Sequence, residues 1–92
     1  MRTIWKYPLA ITEQQTIQMP QGAKVLDVQR QGDDACLWAE VESNAPKEAR
    51  IFWVFGTGHV IPEEFSPREH VGTFQLRELR LVFHVYEYTG ES

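Results

Sequence analysis

Alternation of apolar and polar residues constrains the fold of this chain more than any other feature. In the first such segment the apolar side chains occupy every second position: Trp5, Tyr7, Leu9 and Ile11. Because successive side chains of a strand point to opposite faces of a sheet, this spacing predicts a half-buried β-strand. Pro8 has no N–H to donate, so this strand is expected at a sheet edge or to end nearby.

Further segments also have the composition of strands and are separated by residues typical of turns. The predicted strands are a short one holding Ile17 and Met19, then Ala23 to Gln31, Ala35 to Ser43, Arg50 to Phe55, Val71 to Leu76 and Leu79 to Tyr88. Turns are predicted at Pro20-Gln21-Gly22, Gly32-Asp33-Asp34, Asn44-Ala45-Pro46-Lys47 and Arg77-Glu78. About seven short, largely antiparallel strands favour a mainly β fold, either a small sandwich or an open barrel.

Two segments depart from simple alternation. The pattern slips between Val25 and Leu26, which favours a β-bulge or burial on both faces. The segment Arg50 to Phe55 is apolar on both faces, as in a central, covered strand. We expect it to lie between the preceding hairpin and a strand that follows it.

The longest irregular stretch is predicted between Gly56 and His70. At most one short helical turn is expected within it, between Glu63 and Glu69, because Pro67 limits its length. Loops of this length in small domains often carry function, so this one is a leading candidate for the site.

Length and charge narrow the classes of function. The 92 residues are expected to form one domain, spanning 1–92. A net charge of −4 argues against direct binding to nucleic acid, which is driven by basic surfaces. No apolar run approaches the roughly 20 residues of a membrane-spanning helix, so we expect a soluble protein in the cytoplasm. The single cysteine excludes an intramolecular disulfide.

The string Gly56-Thr57-Gly58-His59 is the most distinctive candidate for binding. Glycines around a threonine can aim backbone N–H groups at an anion, and His59 adds a possible donor. Arg50 is a further candidate for contact with an anionic group. The alternative interpretation is a glycine-rich turn, because the lysine and the spacing of a phosphate-binding loop are missing.

Catalytic and metal sites are not predicted. The three histidines show no ligand spacing on a common strand or helix, and Cys36 is expected to pack as a small hydrophobe. No catalytic residue, metal ligand or cofactor is therefore assigned. Trp38 shares a strand face with Glu40 and Glu42, and a partly exposed aromatic among polar residues is typical of an interface.

The ordered strings along the chain resemble an uncharacterised family of small phage and prophage proteins. They are Thr3-Ile4-Trp5-Lys6-Tyr7-Pro8-Leu9, Met19-Pro20-Gln21-Gly22-Ala23, Val28-Gln29, Cys36-Leu37-Trp38-Ala39, Gly56-Thr57-Gly58-His59 and Gly72-Thr73-Phe74. The resemblance runs over nearly the whole chain. It implies a bacteriophage or prophage source, and hence the cytoplasm of an infected or lysogenic host, but no catalytic residues.

The leading hypothesis is a non-enzymatic accessory protein that binds a host protein or complex, with inhibition of an anti-phage defence system as one such role. The first alternative is a protein that binds or sequesters a small, nucleotide-like anion. The second is a structural or self-assembling virion component. A homo-oligomer is expected in each case, because a thin core and open sheet edges favour self-association.

Overall fold

The computed structural model describes residues 1–11, 14–32, 34–76 and 81–90. Seven strands and one short 3₁₀ turn (η1) make up the described chain. They are β1 (Arg2–Leu9), β2 (Gln15–Pro20), β3 (Lys24–Gln31), β4 (Asp34–Glu42), β5 (Lys47–Gly56), η1 (Glu63–Phe65), β6 (Arg68–Leu76) and β7 (Leu81–Tyr88). Parts of two predicted turns lie outside the described residues. They are the turn at Arg77-Glu78 and Asp33, the central residue of the turn Gly32-Asp33-Asp34.

Two antiparallel sheets contain these strands. Sheet A has the order β1-β4-β3, and sheet B has the order β2-β5-β7-β6. Side chains from both sheets meet in one core, which includes Val28, Leu37 and Val41 of sheet A and Phe52 and Val85 of sheet B. The prediction of a mainly β fold of about seven antiparallel strands is confirmed, and the two sheets form a sandwich.

One predicted neighbour of the central strand is wrong. β5 pairs with β2 and β7, whereas the β3–β4 hairpin that precedes it belongs to the other sheet. The connection from Ser43 to Pro46 carries the chain from sheet A to sheet B. The apolar residues on both faces of β5 are explained by this position: the core covers Phe52 and Val54, while Trp53 and Phe55 are buried on the opposite face.

The irregular segment after β5 is shorter than predicted and covers the outer face of sheet B. It runs from Thr57 to Pro67, because β6 already begins at the polar residue Arg68. Phe65, at the end of η1, stacks on Trp53 with ring centroids 4.7 Å apart and also contacts Phe55 at 5.5 Å. The loop therefore closes a second apolar cluster outside the main core.

Candidate functional site

Trp38 lies on the outer face of sheet A. In β4 the side chains of Leu37, Ala39 and Val41 are buried in the core, so the alternate residues point away from it. Trp38 is half-buried at the centre of this outer face, and its cross-strand partners are Lys6 of β1 and Asp27 of β3. The predicted partial exposure of Trp38 is thus present in the structure.

Two exposed aliphatic side chains extend the apolar surface around Trp38. Ile4 is 57% exposed and Leu26 is 43% exposed. The β3–β4 register shifts between Val25 and Asp27, as the slip in the sequence pattern predicted, and Leu26 is the extra residue of this bulge. A shallow depression of about 330 Å³ results; we call its lining the Trp38 face, which consists of Ile4, Leu26, Asp27, Gln29 and Trp38.

Polar side chains at the rim of the Trp38 face are held by local contacts. Arg2 donates from Nε to Glu40 at 2.5 Å, and Lys6 donates from Nζ to Gln31 Oε1 at 2.8 Å. Asp27 accepts from the N–H of Val28 and from the amide of Gln29, both at 2.8 Å. The apolar centre is therefore framed by polar groups whose positions are already fixed.

The Gly56–His59 segment forms a tight turn at the opposite sheet. The His59 N–H donates to the Gly56 carbonyl at 3.1 Å, and the Gly56 N–H donates back to His59 Nδ1 at 3.3 Å. A Cβ at position 56 would lie 3.0 Å from the imidazole Cε1, and Gly58 has φ of 90°. The positive φ of Gly58 thus favours glycine at that position, and the missing side chain of Gly56 leaves room for the imidazole of His59.

A cleft of about 210 Å³ lies beside this turn. Its lining combines aromatic, hydroxyl and imidazole groups: Phe55, Gly56, Thr57, Gly58, His59, Ile61, His84 and Tyr86. The Nε2 of His84 lies 2.8 Å from Thr57 Oγ1, and its Nδ1 lies 3.1 Å from Thr73 Oγ1, which in turn lies 3.1 Å from His70 Nε2. No carboxylate, lysine or arginine lines the cleft among the described residues, so hydroxyl, imidazole and backbone N–H groups would have to bind an anion there.

Arg50 points inward, on the same side of β5 as Phe52. Its guanidinium donates to both carboxylate oxygens of Glu87, at 2.5 and 2.9 Å, and to the carbonyl of Ala23 at 2.6 Å. The hydrogen bonds to Glu87 raise the pKa of Arg50 above its usual value, against an opposing effect of burial. The guanidinium of Arg50 is therefore hydrogen-bonded within the protein, to Glu87 and to the backbone of Ala23.

The six residues predicted from the sequence thus fall in three places. The turn residues Gly56 to His59 lie together, Trp38 lies on the other sheet, and Arg50 lies between the sheets. Ile4, Leu26 and His84 were not among the predicted site residues. The sequence contained a signal for each of them. Ile4 is an apolar residue on the same strand face as Lys6, Leu26 breaks the alternation of its strand, and His84 shares a strand face with Tyr86.

The described part of the chain shows neither a metal site nor a membrane-spanning helix. No group of three histidine, cysteine or acidic residues there is arranged to hold a metal ion. Cys36 is buried and unpaired. None of the described helical segments is long and apolar enough to cross a membrane.

Comparison with known proteins gives one match. A family described as "Domain of unknown function (DUF7352)" matches residues 1–92. The chain belongs to the DUF7352 family. No curated protein and no solved structure matches this DUF7352 chain. The expectation that the chain belongs to an uncharacterised family is thereby confirmed.

Proposed function

We propose that this protein is a non-enzymatic phage or prophage accessory protein that binds a host protein through the Trp38 face and so inhibits an anti-phage defence system. The observation that carries the proposal is the exposed apolar centre on sheet A. Ile4 and Leu26 are about half exposed beside a half-buried tryptophan, although the main core holds many fully buried apolar residues.

The chemistry of this surface supports protein binding. Hot spots of interfaces are enriched in tryptophan and are surrounded by polar groups that exclude water. Trp38 has such a rim, formed by the Arg2–Glu40 pair, Lys6 and Asp27. A complementary partner surface would present apolar side chains at its centre and hydrogen-bonding groups at its edge.

The phage or prophage source is supported by the resemblance of the ordered sequence strings. Accessory proteins of this size without catalytic motifs commonly act by binding, which is an analogy that does not depend on the fold. The net charge of −4 suits a partner with a basic surface. The site of action would be the cytoplasm of the infected or lysogenic host.

Affinity capture from host lysate, followed by binding measurements on the purified captured protein, tests the proposal. We expect Trp38→Ala to weaken the binding by about 2 kcal/mol, roughly 30-fold, because it removes the large apolar group at the centre. Val60→Ala is the matched control, because Val60 is 84% exposed and lies outside the Trp38 face. Equal affinities for the wild type and Trp38→Ala would reject the Trp38 face as the binding surface.

A second candidate function is binding of a small anion at the cleft beside His59. Thr57, His59 and His84 bring hydroxyl and imidazole groups together there, next to the ring of Tyr86. The volume of about 210 Å³ suits one phosphate or one base rather than a whole nucleotide. A thermal-shift screen with nucleotides and inorganic phosphate decides, since a ligand that binds the folded state raises Tm. No rise with any of them would exclude this function.

A further inference from the structure

The backbone hydrogen bonds of β1 show which of its groups face away from sheet A. The Ser43 N–H donates to the Met1 carbonyl at 3.0 Å, and this pair continues the β1–β4 register in which Arg2 lies opposite Glu42. Bonded and non-bonded pairs alternate in an antiparallel ladder. The odd-numbered residues of β1 therefore bond to β4, and the N–H and C=O groups of Arg2, Ile4 and Lys6 point away from it.

Of the four edge strands, β1 and β2 each place a proline in agreement with this geometry. Pro8 lies at an outward-facing position of β1, so its missing N–H removes no hydrogen bond between β1 and β4. In β2 the Gln21 N–H donates to the Pro46 carbonyl at 2.7 Å, so Pro20 is likewise outward-facing. The described residues contain no strand that pairs with the outer side of either β1 or β2.

The two open edges differ in chemistry. The outward-facing residues of β2 before Pro20 are the exposed polar Thr16 and Gln18. Those of β1 are centred on Ile4, an apolar side chain that is 57% exposed on the outer surface of sheet A. An open strand edge with an apolar centre is a template for pairing with another strand.

We propose that β1 pairs antiparallel with β1 of a second copy of this chain, with Ile4 opposite Ile4 at the twofold axis. In this register Arg2 lies opposite Lys6 of the partner subunit. Each of the three pairs exchanges two N–H···O bonds, and none needs an N–H from Pro8. A shift by two residues would place Arg2 opposite Pro8 of the partner subunit and leave the Arg2 carbonyl without a donor.

Self-complementarity of the backbone favours the second copy as the occupant of this edge, because the outward-facing N–H and C=O groups of Arg2, Ile4 and Lys6 match the same groups of an antiparallel β1. Lys6 forms no ion pair within the described chain and donates only to the neutral amide of Gln31. Across the proposed interface it would join Arg2, Glu40 and Glu42, which share the outer face of sheet A. At each end of the interface Arg2 and the opposing Lys6 would lie near Glu40 and Glu42, of which Glu42 also pairs with the N-terminal ammonium of Met1, and the Ile4 pair would lie between the two ends.

The dimer would combine the two copies of sheet A into one continuous sheet. Because the twofold axis is perpendicular to the sheet, both Trp38 side chains would lie on the same side. With strands ~4.8 Å apart and a rise of ~3.4 Å per residue, their Cα atoms would be about 20 Å apart. Dimerisation through β1 needs no host protein, so it can succeed or fail independently of the proposed function.

Disulfide trapping tests the register of the full chain. Bonded antiparallel partners have Cα atoms ~5.5 Å apart, within the range that a disulfide spans, so Ile4→Cys should cross-link into a covalent dimer under mild oxidation. Arg2→Cys is the matched control, because the two copies of position 2 would be about 14 Å apart along the strands. Cys36 is present in both variants and is 4% exposed in the wild-type structure, so it should contribute equally little to cross-linking in each. Equal cross-linking of the two variants would overturn the register.

Sedimentation equilibrium across the micromolar range tests the interface without a covalent bond. The wild type should be a dimer, and Ile4→Pro should raise the dissociation constant of the dimer about 30-fold. Each subunit loses one N–H donor, so the dimer, which carries the substitution twice, loses two hydrogen bonds. Gln18→Pro, the equivalent change on β2, should leave the dimer intact. If circular dichroism shows that Ile4→Pro does not fold, Ile4→Glu replaces it and places like charges at the axis. A monomeric wild type, or a dimer that both substitutions leave unchanged, would overturn the proposal.

Discussion

At the scale of single residues, Tyr7 places its hydroxyl beside the core with no hydrogen-bond partner among the described residues. Burial raises the pKa of this phenol above its ordinary value of 10.0, and the charge of Arg50 offsets part of the rise. The pKa of Tyr7 is thus higher in the folded than in the unfolded state. The contribution of Tyr7 to stability is therefore fully present below pH 10 and is lost as the pH rises through the pKa of the folded state.

Tyr7→Phe is expected to keep or raise the free energy of unfolding at neutral pH, by up to about 1 kcal/mol, because it removes an unpartnered buried hydroxyl. It should also lessen the loss of stability above pH 10. Urea unfolding at neutral and alkaline pH measures both effects. A destabilised variant at neutral pH would show that the hydroxyl makes a favourable contact.

The Arg50–Glu87 pair should matter more than the ion pair on the surface. Both side chains are 16% exposed, whereas Arg2 and Glu40 are 50% and 39% exposed. Glu87→Gln should cost about 2–4 kcal/mol, because it leaves the guanidinium charge without its carboxylate between the sheets. Glu40→Gln, the control, should cost at most about 1 kcal/mol. Chemical denaturation compares them, and equal losses would contradict the structural role assigned to Arg50.

At the scale of elements, Phe65 packs the middle of the loop after β5 against the outer face of sheet B. Phe65→Ala should cost about 2 kcal/mol and expose Trp53, since their rings stack at 4.7 Å. A red shift of tryptophan emission with unchanged far-ultraviolet circular dichroism would report this opening. Glu64→Ala in the same turn is the control, because Glu64 is exposed. Similar spectra for both variants would show that the loop does not depend on Phe65.

Strands β3 and β6, which belong to different sheets, approach closely at Gly72. A Cβ built there would lie 2.5 Å from Val28 Cγ1, so Gly72→Ala should destabilise the protein by about 1–3 kcal/mol through overpacking. Adding Val28→Ala should recover part of the loss if this contact is the cause. Thermal unfolding of the single and double variants measures the coupling. Strictly additive effects would show that the Val28 contact is not the cause of the loss.

Strand positions were more predictable from the sequence than the pairing of strands. Both β4 and β5 could be predicted because their signals are local. The apolar and polar residues of β4 alternate along the sequence, and those of β5 are apolar on both faces. The inward direction of Arg50 was also present in the pattern, since it has the same phase as Phe52 and Val54. The His84–Thr57 contact was not, because it depends on the cross-strand register, which no local pattern contains.

At the scale of the whole molecule, a dimer through β1 would present two Trp38 faces to one binding partner. On a surface coated with the captured host protein, the wild type should dissociate more slowly at high than at low coating density, because rebinding of the second site becomes intramolecular. Ile4→Pro also alters the Trp38 face itself, so its diagnostic property is the loss of this dependence on density. Trp38→Ala should instead weaken each site separately. Surface plasmon resonance at low and high coating density distinguishes them. Equal dissociation of Ile4→Pro and wild type at high density would exclude bivalent binding.

The order of strands in the two sheets also affects how the chain folds during synthesis. β1 pairs with β4, and β2 pairs with β5, so neither N-terminal strand has a partner until most of the first half of the chain has been made. The β3–β4 hairpin is the first paired unit that a growing chain can form. Its core-facing side chains stay uncovered until sheet B has formed. Non-local pairing of this kind slows folding. Open strand edges would meanwhile remain exposed on the ribosome, where Pro8 and Pro20 limit the length over which another strand can pair with them.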